Sequence, residues 1–195
     1  MIRAFAAIRF PTAVKHKIDQ ALSPLRDSLD EAVVRWVKPD LYHLTLKFFG
    51  DVSDDRLNEI SLQLYEAATR GAPFSLSVGK FGYFPNIQKP RVLWVGLIDK
   101  TQLLAALHGT LESELASIGF KPGKRQFHPH ITIGRVHRRV EKETIARMRD
   151  PLQHFQLDSI ADVNVKNVTL IRSDLTPSGP VYTLIDEFPL GELKK

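Results

Sequence analysis

Two hydrophobic periods alternate along the chain. "IRAFAAIRF" (2–10) is apolar and aromatic enough to predict a strand. Thr12 is a candidate cap for a helix running to about residue 30, with Val14, Ile18, Leu22 and Leu25 on one stripe. "VVRWV" (33–37) predicts a short strand stopped by Pro39, and "HLTLKFF" (43–49) a strand ended by Gly50. Ser53 opens a helix to about residue 69, with Leu57, Ile60, Leu64 and Ala68 inward, and "FSLSVGKFGYF" (74–84) alternates as a strand. "RVLWVGL" (91–97) is the next strand. Thr101 then opens a helix with Leu104, Leu107, Leu111 and Leu115 at helical spacing. "HITIGRV" (130–136) reads as a strand, followed by a helix at about 141–149 and renewed apolar alternation at 154–158. "VNVKNVTLIRS" (163–173) and "PVYTLID" (180–186) complete the strands, while 86–91 and 173–180 read as loops.

The order strand, helix, strand, helix, strand therefore occurs twice, 87 to 89 residues apart. The middle strand opens each time with His, apolar, Thr, apolar: "HLTL" at 43–46 and "HITI" at 130–133. With seven histidines in the chain, one such match arises by chance roughly 0.07 times, so two are informative where one would not be. A lone half would leave one side of its sheet exposed. The expected fold class is α+β: two pseudo-symmetric lobes of mainly antiparallel sheet with outer helices and an active cleft between them. Residues 1–195 would form a single domain built from an internal duplication.

The 195 residues can bury a substantial core. Cysteine is absent, which excludes disulfides and thiolate metal sites and suits a reducing, cytoplasmic setting. The first residues leave too short an apolar run for a signal peptide, and no stretch approaches the ~18 apolar residues of a membrane span. The net charge of +5 tilts the partner toward a polyanion. The oligomeric state is open, with a monomer favoured.

Side chains on a strand alternate between faces. His43 and Thr45 share one face, His130 and Thr132 another, and the intervening Leu and Ile enter the core. The polar pairs then converge on one cleft. Near neutral pH one imidazole can be neutral and the other protonated, a general base and a general acid. The Thr hydroxyls can donate to the oxygens of a tetrahedral anion. A phosphodiester fits this set, and a strained 2′,3′-cyclic phosphate fits it best. His43, His128 and His130 could alternatively form a three-His metal site, but no carboxylate accompanies the motifs, so neither metal nor cofactor is expected. His16, His108, His137 and His154 read as exposed or packing residues.

"HLTLKFFG", "FPNIQKPRVLWVGL" and "HPHITIGRV", together with "RAFAAIRFP" and "RWVKPDLYHLTLKFFG", resemble the 2H phosphoesterase superfamily, and within it the RNA 2′,3′-cyclic phosphodiesterases, also called 2′-5′ RNA ligases. The resemblance runs over essentially the whole chain. It implies cofactor-free hydrolysis of RNA 2′,3′-cyclic phosphate ends to 2′-phosphate ends, with reversible 2′-5′ joining. It implies His43 as proton donor, His130 as proton acceptor, and Thr45 and Thr132 as phosphate ligands. Five residues after each His stand Phe48 and Arg135, candidates for base stacking and for phosphate binding. Strict alternation would send both to the core face, unless a bulge at Gly134 returns Arg135 to the cleft. Lys47, on the parity of His43, is a further candidate cation. The alternatives are a cyclic phosphodiesterase of a small nucleotide, such as ADP-ribose 1″,2″-cyclic phosphate or 2′-5′ oligoadenylate, and a non-catalytic RNA-binding module. Lys89 and Arg91 could border the cleft, and the basic run around 121–139 could track an RNA backbone.

Overall fold

A computed structural model describes residues 1–30, 32–123, 125–177 and 179–192. Among them nine strands form one antiparallel sheet: β1 (Ile2–Arg9), β2 (Val34–Trp36), β3 (His43–Val52), β4 (Phe74–Phe84), β5 (Val92–Ile98), β6 (His130–Val136), β7 (Ala161–Val165), β8 (Asn167–Thr176) and β9 (Gly179–Pro189). The path runs β7-β4-β5-β6-β3-β1-β8-β9, with β2 paired to β6. The helices are α1 (Thr12–Ala21), α2 (Ser23–Ser28), α3 (Asp54–Thr69), α4 (Leu103–Ser117) and α5 (Lys142–His154).

The strand order is symmetric about the β6–β3 junction. β5 and β6 mirror β1 and β3, but the strand that closes each half crosses over: β4 pairs with β5, and β8 pairs with β1. Each lobe is thus completed by a strand from the other half. At the centre, β3 and β6 share a single register pair, Leu44 with Ile131, so the lobes splay apart from there. One large core joins the helices to one face of the sheet. The other face holds a small separate cluster, Phe5, Ala7 and Ile171 with Tyr182 packed on it.

Several expectations change. Residues 163–173 are not one strand: β7 and β8 meet at the single residue Lys166 yet lie near opposite ends of the path, β7 on β4 and β8 on β1. One residue spans only about 3.5 Å, so the sheet must curl until these strands approach, and the Leu190 N–H donates to the Lys166 carbonyl at 2.8 Å across that seam. The first helix breaks at Leu22, because Pro24 in the first turn of α2 has no N–H to continue the ladder. Pro11, rather than Thr12, stands at its N-cap. Gly50 does not end β3: with φ +74 it sits in a bulge, and pairing continues to Val52 opposite Ile2. Segment 173–180 is mostly ladder, with Thr176 paired to Gly179, although Ser178 in its turn lies outside the described residues. The apolar residues at 154–158 form no strand, but Phe155 and Leu157 pack on the core.

Candidate active site

The site begins with where the two motifs point. Leu44, Leu46, Ile131 and Ile133 are buried, leaving His43, Thr45, His130 and Thr132 on the opposite face. Carrying the Leu44–Ile131 register one residue either way sets His43 opposite Thr132 and Thr45 opposite His130. Cross-strand neighbours of this kind have Cβ atoms about 5 Å apart, so the four side chains occupy one small patch where the lobes meet.

Both imidazoles are anchored alike. The His43 Nδ1–H donates to the Leu41 carbonyl at 2.7 Å, and the His130 Nδ1–H donates to the His128 carbonyl at 2.6 Å. A carbonyl can only accept, so each neutral ring carries its proton on Nδ1 and leaves Nε2 unprotonated. The Thr45 hydroxyl lies 3.1 Å from the His43 Nε2. The turn that presents the Leu41 carbonyl, Pro39–Leu41, is tied down by Lys15 of α1, whose Nζ donates to the Asp40 carbonyl at 2.7 Å.

Burial pushes the His43 imidazole down to about 4; the hydrogen bond to Leu41 opposes this, while the charges of Lys15, His130 and Arg135 add to it. Burial also lowers His130; the hydrogen bond to the His128 carbonyl opposes this, while electrostatic repulsion from His128 and Arg135 adds to it. The unliganded cleft therefore holds two neutral imidazoles at neutral pH. The one-plus-one state expected from ordinary histidines requires an anion to be present.

A bulge three residues after each His sets the facing of the residues beyond it. On β3, Thr45 pairs with Ala7 and Lys47 with Ala6, leaving Leu46 as the extra residue. On β6, Thr132 pairs with Trp94 and Gly134 with Leu93, leaving Ile133 extra. The two registers match at an offset of 87 residues. Each bulge inverts the alternation. Lys47 consequently turns to the helix side, where its Nζ pairs with Glu112 of α4 at 2.6 Å and donates to the Lys121 carbonyl at 2.7 Å. It supplies no charge to the cleft. Phe48 emerges on the cleft side, 64% exposed, with its ring 5.7 Å from Phe5. Arg135 likewise emerges, exposed, and its charge acts on His43, His130 and Tyr182. Gly134 is needed here, since a Cβ would stand 2.9 Å from the Val34 side chain and 3.2 Å from the Trp36 ring.

Aromatic rings line both sides. His43 lies 4.9 Å from Phe5 and 5.3 Å, edge-on, from Tyr182 of β9. His130 lies 5.2 Å from Phe84, which also packs on Trp94 and His128. Sequence reasoning missed Tyr182, Phe84, Trp94 and Lys15. The strand pattern places the first three on β-strands but says nothing of which strands adjoin; for Lys15 there is no sequence signal. The His128 ring stands 6.3 Å from that of His130 and is exposed. Among the described residues no group of three His, Asp or Glu is placed to hold a metal ion. His16, His137 and His154 are exposed, and His108 stacks on Phe127 at 3.8 Å. No helix among the described residues is long and apolar enough to cross a membrane.

Comparison with known proteins agrees in fold and family. The family described as LigT like Phosphoesterase matches residues 8–94 and again 95–182. An RNA 2′,3′-cyclic phosphodiesterase of Methanothermobacter thermautotrophicus is 33% identical over 97% of this chain and 99% of its own. One from Thermotoga maritima is 34% identical, covering 95% of this chain and 94% of its own. Among solved structures, E. coli LigT complexed with 3′-AMP superposes with a TM-score of 0.75 at 25% identity, covering 98% of this chain and 99% of that one.

Proposed function

The chain belongs to the LigT-like phosphoesterase family, and on that premise we propose that it opens the 2′,3′-cyclic phosphate at RNA ends to a 2′-phosphate, using His43 as acid and His130 as base. The observation that carries this reading is the matched anchoring of the two rings: both Nδ1–H groups are spent on backbone carbonyls two residues back, and the rings stand on adjoining strands. The names of the relatives from M. thermautotrophicus and T. maritima support the substrate.

In this mechanism the phosphate sits over the patch made by His43, Thr132, Thr45 and His130. The Thr45 and Thr132 hydroxyls donate to its non-bridging oxygens, and Arg135 adds a fixed positive charge. His130 Nε2 takes a proton from water as the water oxygen bonds to phosphorus. The bond from phosphorus to the ribose 3′ oxygen breaks, and that oxygen receives the proton from His43 Nε2. His43 acts as acid only because the substrate brings a negative charge to a ring that burial keeps neutral. A ribose 5′-hydroxyl in place of the water would give 2′-5′ joining by the same path run with a different nucleophile. Phe48, exposed beside Phe5, offers a face on which the terminal base stacks. The two separate family matches support a single domain of duplicated halves.

The test is product analysis on a short RNA bearing a 2′,3′-cyclic phosphate. A 2′-phosphate end is expected. His43→Ala and His130→Ala should each cost at least ~100-fold in turnover, and the double variant little more than the worse single, because the residues act as a unit. A 3′-phosphate product, or near-normal turnover by His130→Ala, would overturn the assignment.

A further inference from the structure

A second cationic feature lies outside the histidine patch. A hollow of about 350 Å³ opens between the 86–91 loop and α5, lined by Lys89, Arg91, Lys142 and Arg149 over an apolar floor of Val140 and Ile145. No carboxylate lines it. Among the described residues Lys89, Lys142 and Arg149 enter no ion pair. Four like charges around one hollow repel each other, and an anion relieves that repulsion.

We propose that this hollow is an anion subsite for the sugar–phosphate backbone of the RNA strand leading to the reacting end, an inference that rests on the function proposed above. Three observations tie it to the cleft. Arg91 is the residue before Val92, which pairs with Arg135, and the Arg91 carbonyl accepts from the Val136 N–H at 3.1 Å. Along the backbone, Arg91 therefore stands one register step beyond Arg135, at the end where β5 and β6 meet. Arg91 is also held in place: its Nη1 donates to the His137 and Arg138 carbonyls at 3.1 and 3.3 Å, and its backbone N–H donates to the Phe84 carbonyl at 2.7 Å. Phe84 is the same residue whose ring packs on His130. Finally, Arg91, immediately before β5, stands five residues from Gly96, the partner of His130, about 17 Å at the usual rise of a strand. A mononucleotide seated on the histidines falls short of that distance, and a strand of several nucleotides does not. The contacts are to phosphate, so they bring affinity without base preference.

The experiment compares two substrates, a 2′,3′-cyclic mononucleotide and a single-stranded RNA of about ten nucleotides ending in the same cyclic phosphate. The variant is the triple Lys89→Gln, Lys142→Gln, Arg149→Gln, none of which touches the histidine patch. Its mononucleotide kcat/KM should match the parent, which also reports an intact fold. Its KM for the oligomer should rise about tenfold, with the slope of log affinity against log salt reduced by about 2 for three lost cations. Parent-like KM for the oligomer, or equal losses on both substrates, would overturn the subsite. If the parent turns over neither substrate, the proposed function fails by itself. Fluorescence anisotropy with the same oligomer ending in a phosphate then decides the subsite: weaker binding by the triple variant supports it, and equal binding refutes it.

Discussion

The depressed imidazoles make the pH profile the most direct probe of the site. His43 is brought from an ordinary 6.5 to about 4 chiefly by burial, which corresponds to about 3 kcal/mol against its charged form. In the free protein at pH 7 only about one molecule in a thousand carries a proton there. A phosphate monoanion about 4 Å from Nε2 contributes about 4 kcal/mol at the effective dielectric of a protein surface, enough to restore the lost protonation. The profile of kcat/KM reports the free enzyme, so its bell should be centred below 6.5, between about 4 and the lowered His130 value. The kcat profile reports the complex and should sit at higher pH. Removing a neighbouring like charge should move the lower limb upward: Lys15→Met takes away a cation whose field opposes protonation of His43. The assay is initial rates on a 2′,3′-cyclic mononucleotide from pH 4 to 9, with the His43 titration followed by NMR in a His130→Asn background. A His43 titration midpoint near 6.5, or a kcat/KM maximum at or above pH 7.5, would refute the argument that burial governs this ring.

The same geometry sets three other outcomes. Thr45→Val removes the hydroxyl 3.1 Å from the His43 Nε2; kcat/KM should fall by about 1.5–3 kcal/mol, the worth of a hydrogen bond to a charged group, with the fold unchanged by circular dichroism. Gly134→Ala drives a Cβ to 2.9 Å from Val34 and toward the Trp36 ring; urea denaturation should show a loss of about 1–3 kcal/mol. Activity on a cyclic phosphate should survive excess EDTA, since the reacting groups are imidazoles and hydroxyls; loss on chelation restored by added zinc would contradict this.

Legibility in the sequence tracked the range of each signal. Apolar, aromatic and β-branched runs located β1, β3, β5 and β6, and period-two alternation located β4. The recurrence of His-apolar-Thr-apolar located both motifs, because a strand fixes which side chains share a face. The crossing of β4 and β8 between lobes left no local mark, since the same alternation serves either neighbour. Residues 163–173 looked like one strand because only Lys166 and Asn167 separate its apolar positions, although the step from Val165 to Val168 shifts their parity. Nothing in that pattern reveals that the curl of the sheet brings distant strands together at this residue. Tyr182 was missed for the same reason: its place beside His43 depends on β9 following β8 to the edge of β1's lobe.

The bulges show how a duplicated motif yields a cleft with two unlike ends. Without them, the fifth residue after each His would be buried, and Lys47 would face the cleft. With them, the registers 7–45 and 94–132 still coincide, yet the residue delivered to the cleft is Phe48 in one lobe and Arg135 in the other. Symmetry of backbone therefore supplies an equivalent pair of Nδ1-anchored imidazoles, and asymmetry of side chain supplies direction. The aromatic end, with Phe5, Phe48 and Tyr182, surrounds the more deeply depressed His43. The cationic end runs from Arg135 along β6 toward Arg91. A ligand with a flat apolar part and an anionic part meets the two ends in only one favourable orientation, and that orientation presents each histidine with a different oxygen. In the proposed mechanism a backbone repeat alone would leave acid and base interchangeable, and the residue behind each bulge is what distinguishes them.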